Sequence, residues 1–106
     1  MNNSHIILRE WRLVRKKTLV GFATVELPIG LVISDVAIHH KNNRWWANLP
    51  GRPVLDATGQ PMMSLDGRRM WVNLLACRDP ELAAKFSTAV ISLVRSTYPA
   101  DFGDLA

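Results

Sequence analysis

Residues 30–53, GLVISDVAIHHKNNRWWANLPGRP, are the most informative part of this chain. Residues 31–40 are dominated by β-branched and other apolar side chains, which are typical of a β-strand. Residues 41–43, Lys-Asn-Asn, supply a tight polar turn, and residues 44–49 can form a short second strand before the corner at Pro50. The segment therefore predicts a β-hairpin with two adjacent tryptophans in its second strand.

Two more strands are predicted before this hairpin, over residues 6–15 and 18–27, joined by a lysine-rich turn. The first strand alternates imperfectly between apolar and charged side chains, and its pattern places Ile7 and Trp11 on one face. Gly21 interrupts the second strand and indicates a bulge or a close crossing of two strands.

The segment after the hairpin, residues 50–69, has the glycine, proline and aspartate content of a loop. Its second turn signal, Asp66-Gly67, lies between short apolar runs and predicts a small hairpin. Residues 70–77 are predicted to form a fifth strand. We expect no internal repeat in the chain.

The spacing of apolar residues changes to a helical period after residue 78. Asp79, Pro80 and Glu81 suit the N-cap and first turn of a helix, and Pro99 is expected to end that helix. Residues 99–106 are predicted to be a frayed tail. The order of elements predicts an α+β fold, in which an antiparallel β-sheet of about five strands, with a small extra hairpin, carries one C-terminal α-helix on one face.

Composition narrows the class of protein. The chain has 106 residues, enough for one domain, and 48% of them are hydrophobic, which excludes a disordered chain. No apolar run approaches the roughly 20 residues of a membrane helix, and the charged N-terminal segment is unlike a secretory signal. Cys77 has no partner for an internal disulfide. We therefore expect a cytoplasmic protein without membrane association.

The residue pattern gives little support to catalysis or metal binding. His39 and His40 are adjacent on a predicted strand, so their side chains point to opposite faces and cannot share a metal ion. Asp35 and His39 would share a face, but a polar strand surface explains that pair as well as general-base chemistry does. We expect no enzyme, no catalytic residue, no metal site and no cofactor.

The charge of the chain favours an anionic partner. The net charge is +4; residues 1–78 carry +6 and residues 79–106 carry −2. The cations crowd the predicted turns and lie close to tryptophans, an arrangement that suits phosphates and stacked bases. The predicted nucleic-acid-binding residues are Lys41, Arg44, Arg52, Arg68, Arg69, Arg12, Arg15, Lys16, Lys17 and Trp46.

The central segment also resembles the stage V sporulation protein G (SpoVG) family. The matching residues are a strand at residues 36–38, the Asn42-Asn43 turn, and the corner WWANLP at residues 45–50 followed by Arg52. The resemblance covers roughly residues 8–98, although a stretch at residues 56–69 looks inserted. It implies a single SpoVG-like α+β domain over residues 1–98, a small bacterial nucleic-acid-binding regulator, and a homodimer. It also implies that binding residues follow the corner, which points to Arg52 with Lys41 and Arg44 beside it.

The charge pattern and the family resemblance together lead to one hypothesis. The protein is expected to regulate transcription and to contact the phosphates of nucleic acid through basic loops. DNA and RNA, and single and double strands, remain open alternatives. A different class of function is also open: a protein-interaction module that uses a tryptophan-rich sheet face or edge and binds no nucleic acid. Binding to phosphates should weaken steeply with salt, whereas binding through an apolar protein interface should not.

Overall fold

Residues 5–103 of the chain are described by a computed structural model. A four-stranded antiparallel sheet has the order β1-β2-β3-β4 and is built from β1 (Ile7–Lys16), β2 (Leu19–Glu26), β3 (Val32–Lys41) and β4 (Arg44–Asn48). A second antiparallel sheet pairs β5 (Gly51–Pro53) with β6 (Trp71–Asn73), and the chain continues into helix α1 (Pro80–Thr97) and a 3₁₀ turn (Pro99–Phe102). The predicted α+β class is confirmed. The predicted fifth strand is shorter than expected and pairs with β5 instead of joining the main sheet.

The predicted β3–β4 hairpin is present, and its turn sets the register. Lys41 pairs with Arg44, so only Asn42 and Asn43 form the loop, and both have positive φ values (52° and 65°). Two successive residues of this kind make the turn type whose twist matches that of paired strands, and asparagine tolerates this conformation well.

A bulge in β1 corrects one prediction. Leu8 pairs with Val25 and Glu10 pairs with Thr24, so Arg9 is an extra residue in β1. Both Leu8 and Trp11 consequently pack against the core, whereas Ile7 is 49% exposed. The expectation that Ile7 and Trp11 share a face is wrong because strict alternation is lost at a bulge.

Gly21 marks a close contact between β1 and β2, as its position in the strand predicted. A Cβ atom at residue 21 would lie 2.6 Å from Cη2 of Trp11 and would also clash with the carbonyl oxygen of Arg12. The pairing of β2 with β3 is irregular at the same place, between Leu19 and Gly21. The Trp11 indole therefore packs directly on the backbone of residue 21, where the Cβ atom of any residue other than glycine would clash with it.

Helix α1 covers one face of the main sheet. Asp79 caps it through a 2.8 Å hydrogen bond from the backbone N–H of Leu82, with Pro80 at the first helical position. The hydroxyl of Ser87 accepts from the N–H of Ala47 (3.1 Å) and donates to its carbonyl oxygen (3.0 Å), which fixes the helix to edge strand β4. The buried core comprises Val20, Ala23, Val25, Ile33, Val36, Ile38, Val90, Ile91, Val94 and Phe102.

The segment after the helix is packed, which corrects the predicted frayed tail for residues 99–103. Phe102 is only 4% exposed, and its ring stacks on Trp11 with 5.6 Å between the ring centroids. The indole N–H of Trp11 donates to the Asp101 carboxylate at 2.8 Å. The rest of the predicted tail, residues 104–106, lies outside the described residues.

Residues 51–77, here called the arm, have no second layer of structure behind them. Three backbone hydrogen bonds close a ring: Met62 N–H to the Val54 carbonyl, Val54 N–H to the Met70 carbonyl, and Met70 N–H to the Met62 carbonyl. Their lengths are 2.8, 2.8 and 3.0 Å. The Cα radius of gyration of 15.2 Å exceeds the roughly 13 Å of a compact chain of this length, as expected when a segment projects from the body.

Two similar turns, eight residues apart, build the arm. In the first, Gly59 N–H donates to the carbonyl of Asp56, and in the second, Gly67 N–H donates to the carbonyl of Ser64. Both glycines have the left-handed φ that disfavours other residues, 85° and 82°. The second turn is the predicted small hairpin, with Met63 bridged to Arg69. The two turns therefore share one backbone form at an interval of eight residues.

Across residues 5–103, no helix combines the length and the apolar character needed to cross a membrane.

Candidate nucleic-acid interface

Two basic turns lie at the same end of the main sheet. Because β1 to β4 are antiparallel neighbours in order, the β1–β2 and β3–β4 turns fall at one end. A 2.9 Å hydrogen bond from His40 N–H to the carbonyl of Thr18 joins the two turns directly. The two turns bring together four exposed cations, which are called here the basic end: Lys16, Lys17, Lys41 and Arg44.

The charge of the basic end is not neutralised locally. Considering residues 5–103 only, none of its four cations forms a salt bridge with a carboxylate. Four other cations do have a carboxylate partner, among them Arg9, which lies 3.0 Å from Glu26, and Lys85, which lies 3.3 Å from Glu81. A patch of one sign attracts an anionic partner over a distance set by the ionic strength.

The two predicted arginines of β1 have different surroundings. Arg15 is exposed, but its guanidinium donates to the carbonyl oxygen of Asp101 at 2.7 Å, so it is engaged with the 3₁₀ turn. Arg12 lies over the ring of Phe22, 5.1 Å from the ring centroid. Only Arg12 of the two therefore lies beside the groove described below.

The adjacent tryptophans of β4 point to opposite faces, as predicted. Trp45 contacts His40 (4.4 Å between centroids) and Phe102 (5.4 Å), both on the helix side of the sheet. Trp46 stacks on His39 on the other side, with a centroid distance of 5.3 Å and an interplanar angle of 5°. The guanidinium of Arg44 lies 5.9 Å from the Trp46 ring. Trp46 thus carries the aromatic surface next to the basic end.

The face of the main sheet opposite α1 is called here the open face. Its side chains are those of Arg12, Phe22, Ala37, His39, Trp46 and Asn48. His39 is half-buried there, and its Nδ1 lies 2.9 Å from the Thr18 hydroxyl. Partial burial lowers the pKa of His39 by disfavouring the charged imidazole. Since the pKa moves further below neutrality, the imidazole is neutral at pH 7, and stacking rather than charge is its contribution to this face.

A groove of about 900 Å³ is bounded by the open face, the base of the arm and, at Ala83 and Phe86, the first turns of α1. Arg12, Phe22 and His39 line it on the sheet side, and Trp71 and Asn73 line it on the arm side. The sequence pattern did not single out Trp71 or Asn73 as site residues, because their position depends on the pairing of β6 with β5 at the base of the arm.

Arg52, the first of the three predicted arginines of the arm, does not join the basic end. Strand β4 runs away from that end, and Arg52 follows it on β5. Arg52 pairs with Val72, whereas the groove is lined by Gly51, Trp71 and Asn73 from neighbouring registers, so Arg52 lies on the opposite face of the small sheet. The expectation that Arg52 lies beside Lys41 and Arg44 is therefore wrong.

The remaining two arginines belong to the second turn of the arm. Arg68 lies 3.6 Å from the Asp66 carboxylate, and both its side chain and that of Arg69 are exposed. Among residues 5–103, no cluster of three or more His, Cys, Asp or Glu side chains suits a metal ion.

No protein-family model, curated protein or solved structure matches this chain. Its resemblance to the SpoVG family therefore stays a prediction, carried by the turn and corner of the β3–β4 hairpin.

Proposed function

We propose that this chain is a SpoVG-like bacterial regulatory protein that binds nucleic acid, DNA or RNA, by contacting its phosphates through basic loops. The observation that carries this proposal is the basic end, where two neighbouring turns supply four exposed cations without carboxylate partners among residues 5–103. Phosphate contacts of this kind release counterions and give affinity that falls with salt.

The fold supports this role in a second way. A hydrogen bond between the two turns and a two-residue Asn-Asn loop hold Lys41 and Arg44 on rigid backbone. Cations held in place lose less conformational entropy on binding than cations on a mobile tail. The basic end is therefore better suited to a phosphate chain than Arg68 and Arg69 of the arm, one of which is paired with Asp66.

The test is a fluorescence-anisotropy titration with labelled DNA and RNA oligonucleotides, single- and double-stranded, at several salt concentrations. Lys41→Ala with Arg44→Ala should lower affinity by about tenfold or more near 0.1 M salt and should reduce the salt dependence by about one to two counterions. The double variant Arg78→Ala with Lys85→Ala is the matched control. It removes two positive charges that are paired with Asp79 and Glu81 on the helix.

Equal losses in both double variants would mean that net charge, not the basic end, determines binding. If the wild-type protein binds none of the oligonucleotides even at low salt, the proposal of a nucleic-acid-binding protein is wrong.

A protein-interaction module without nucleic acid is the second candidate, and the surface of the arm favours it. Leu65 is fully exposed, and half of the exposed large hydrophobic residues of the described chain lie on the arm: Leu55, Met62, Met63, Leu65, Met70, Trp71, Leu74 and Leu75. Exposed apolar clusters of this kind are typical of protein interfaces. The edge of β4, by contrast, is occupied at Ala47 by Ser87.

We also infer that a second copy covers the apolar surface around Leu65, at the second turn of the arm, which makes the protein a homodimer, as the family resemblance implies. Leu65→Asp should shift the mass measured by light scattering toward the monomer. Ile29→Asp is the matched control, because Ile29 is 86% exposed in the β2–β3 turn, outside the arm. A wild-type protein that is monomeric at all concentrations would contradict the dimer.

A further inference from the structure

The proposed phosphate contacts at the basic end leave the groove between the open face and the arm without a role. Its volume of about 900 Å³ lies within the roughly 300–1,000 Å³ of sites that enclose small organic groups. The main sheet and the two-stranded sheet of the arm form its walls, and Ala83 and Phe86 of α1 line it as well. A volume of this size admits flat rings but is too small for a double helix, whose bases remain stacked inside.

We propose that this groove takes unpaired bases of a single-stranded nucleic acid whose phosphates lie on the basic end. This inference rests on the proposed function and specifies the form of nucleic acid that the site takes.

Aromatic surface on both walls is the first argument. On the sheet side, the guanidinium plane of Arg12 lies over Phe22, with 5.1 Å between the guanidinium carbon and the ring centroid. On the arm side, Trp71 is 60% exposed, far more than a packing tryptophan such as Trp11. Bases stack on aromatic rings and on guanidinium planes without regard to sequence, and only unpaired bases present such faces.

The polar groups of the groove suit base edges. Asn48 and Asn73 are both exposed and line the groove, and each side-chain amide offers both a donor and an acceptor. Among the described residues that line the groove, Asp35 is the one carboxylate and Arg12 is the one cation, so their formal charges cancel and the lining as a whole does not repel an anion.

Continuity with the basic end is the third argument. Leu19 and His39 line the groove and pair with each other across β2 and β3. Leu19 directly follows Thr18 and His39 directly precedes His40, and the hydrogen bond between Thr18 and His40 joins the two basic turns. A strand with its bases in the groove would therefore leave it toward Lys17 and Lys41. Charge complementarity thus favours a phosphate chain over an apolar peptide as the occupant.

The experiment compares an oligothymidylate of about twelve nucleotides with a duplex of the same length, each labelled with fluorescein. The wild-type protein should bind the single strand more tightly than the duplex. Trp71→Ala should weaken single-strand binding by about 5- to 150-fold, the range that corresponds to one lost base stack, and should leave duplex binding unchanged. Trp71→Phe, which keeps a ring, should retain most of the affinity.

Tyr98→Ala is the matched control, since Tyr98 is a 43% exposed aromatic residue at the end of α1, outside the groove. Light scattering of each variant checks whether the arm still self-associates. Single-strand affinity that is unaffected by Trp71→Ala, or lowered equally by Tyr98→Ala, would overturn this inference while leaving phosphate binding intact. An equal loss for strand and duplex would also overturn it. Absence of binding to either probe would instead reject the proposed function itself.

Discussion

The body of the molecule and the arm contain similar apolar residues but use them differently. In the body, strand alternation and the helical period place valine and isoleucine between the main sheet and α1, where Val25, Val36 and Ile38 are completely buried. In the arm, eight large apolar side chains stay exposed, because short turns joined by backbone hydrogen bonds have no second layer to cover them. Burial therefore depends on the neighbouring layer, and not on the hydrophobicity of a segment alone.

This contrast also separates two sources of stability. The body gains from apolar surface removed from water, at roughly 25 cal/mol per Å². The arm is stabilised mainly by local hydrogen bonds, such as those from the N–H groups of Thr58 and Gln60 to the Asp56 carboxylate. The Thr58 hydroxyl, which also donates to this carboxylate, and then the two N–H groups lower the pKa of Asp56, since their hydrogen bonds favour its charged form. An exposed apolar arm held in this way is suited to contact a partner.

The largest expected effect tests the contrast in burial. Ile38→Ala should lower the free energy of unfolding by about 2–5 kcal/mol, because it leaves a cavity between the sheet and α1. Leu65→Ala should change it by no more than about 0.5 kcal/mol in the monomer, since Leu65 is fully exposed. Urea unfolding followed by circular dichroism measures both. Similar losses in the two variants would mean that the arm is part of the cooperative core.

A smaller effect compares glycines in the two regions. Gly21→Ala should destabilise the whole fold by about 1–3 kcal/mol, because the new Cβ clashes with Trp11 and with backbone of β1. Gly59→Ala meets no neighbouring atom but occupies a left-handed conformation, so its strain of about 1 kcal/mol should stay within the arm. The urea midpoint should therefore fall for Gly21→Ala and hold for Gly59→Ala. Loss of α1 signal in Gly59→Ala would show that the two regions unfold together.

The smallest effect concerns pH. Partial burial lowers the pKa of His39, so the unfolded chain, with a histidine pKa of about 6.5, takes up the proton first as pH falls. The stability contributed by neutral His39 is complete above about pH 6.5 and decreases as the pH falls below that value. The arm contains no histidine and should not show this dependence.

Urea midpoints at about pH 7.5 and 5.5 measure the effect, with His39→Asn as the comparison. The decrease between the two pH values should be smaller in His39→Asn than in the wild-type protein. Equal decreases would assign the pH dependence to other groups.

The sequence was informative wherever the signal is local. The Asn42-Asn43 turn, the helix start at Asp79-Pro80 and the glycine at residue 21 each have a backbone requirement that few residue types meet, so each could be predicted. The opposite orientation of Trp45 and Trp46 followed from strand geometry alone. The class of fold was predictable for the same reason.

Other features depend on contacts between distant residues. The bulge at Arg9 reverses the facing of Ile7, and the packing of Phe102 on Trp11 orders a segment that looked like a tail. The site shows the same division. Local composition identified the cations, but only strand order decided that Lys16, Lys17, Lys41 and Arg44 share one end while Arg52 does not.

Most of the strands and the helix could be predicted from the sequence, because turns, helix caps and strand alternation depend on a few neighbouring residues. Three features became visible only in the folded chain: which basic turns meet, which tryptophan faces the helix, and the groove between the open face and the arm. Those outcomes come from pairing and packing between residues far apart in the chain, whose free energy is set by the whole fold and not by any one segment.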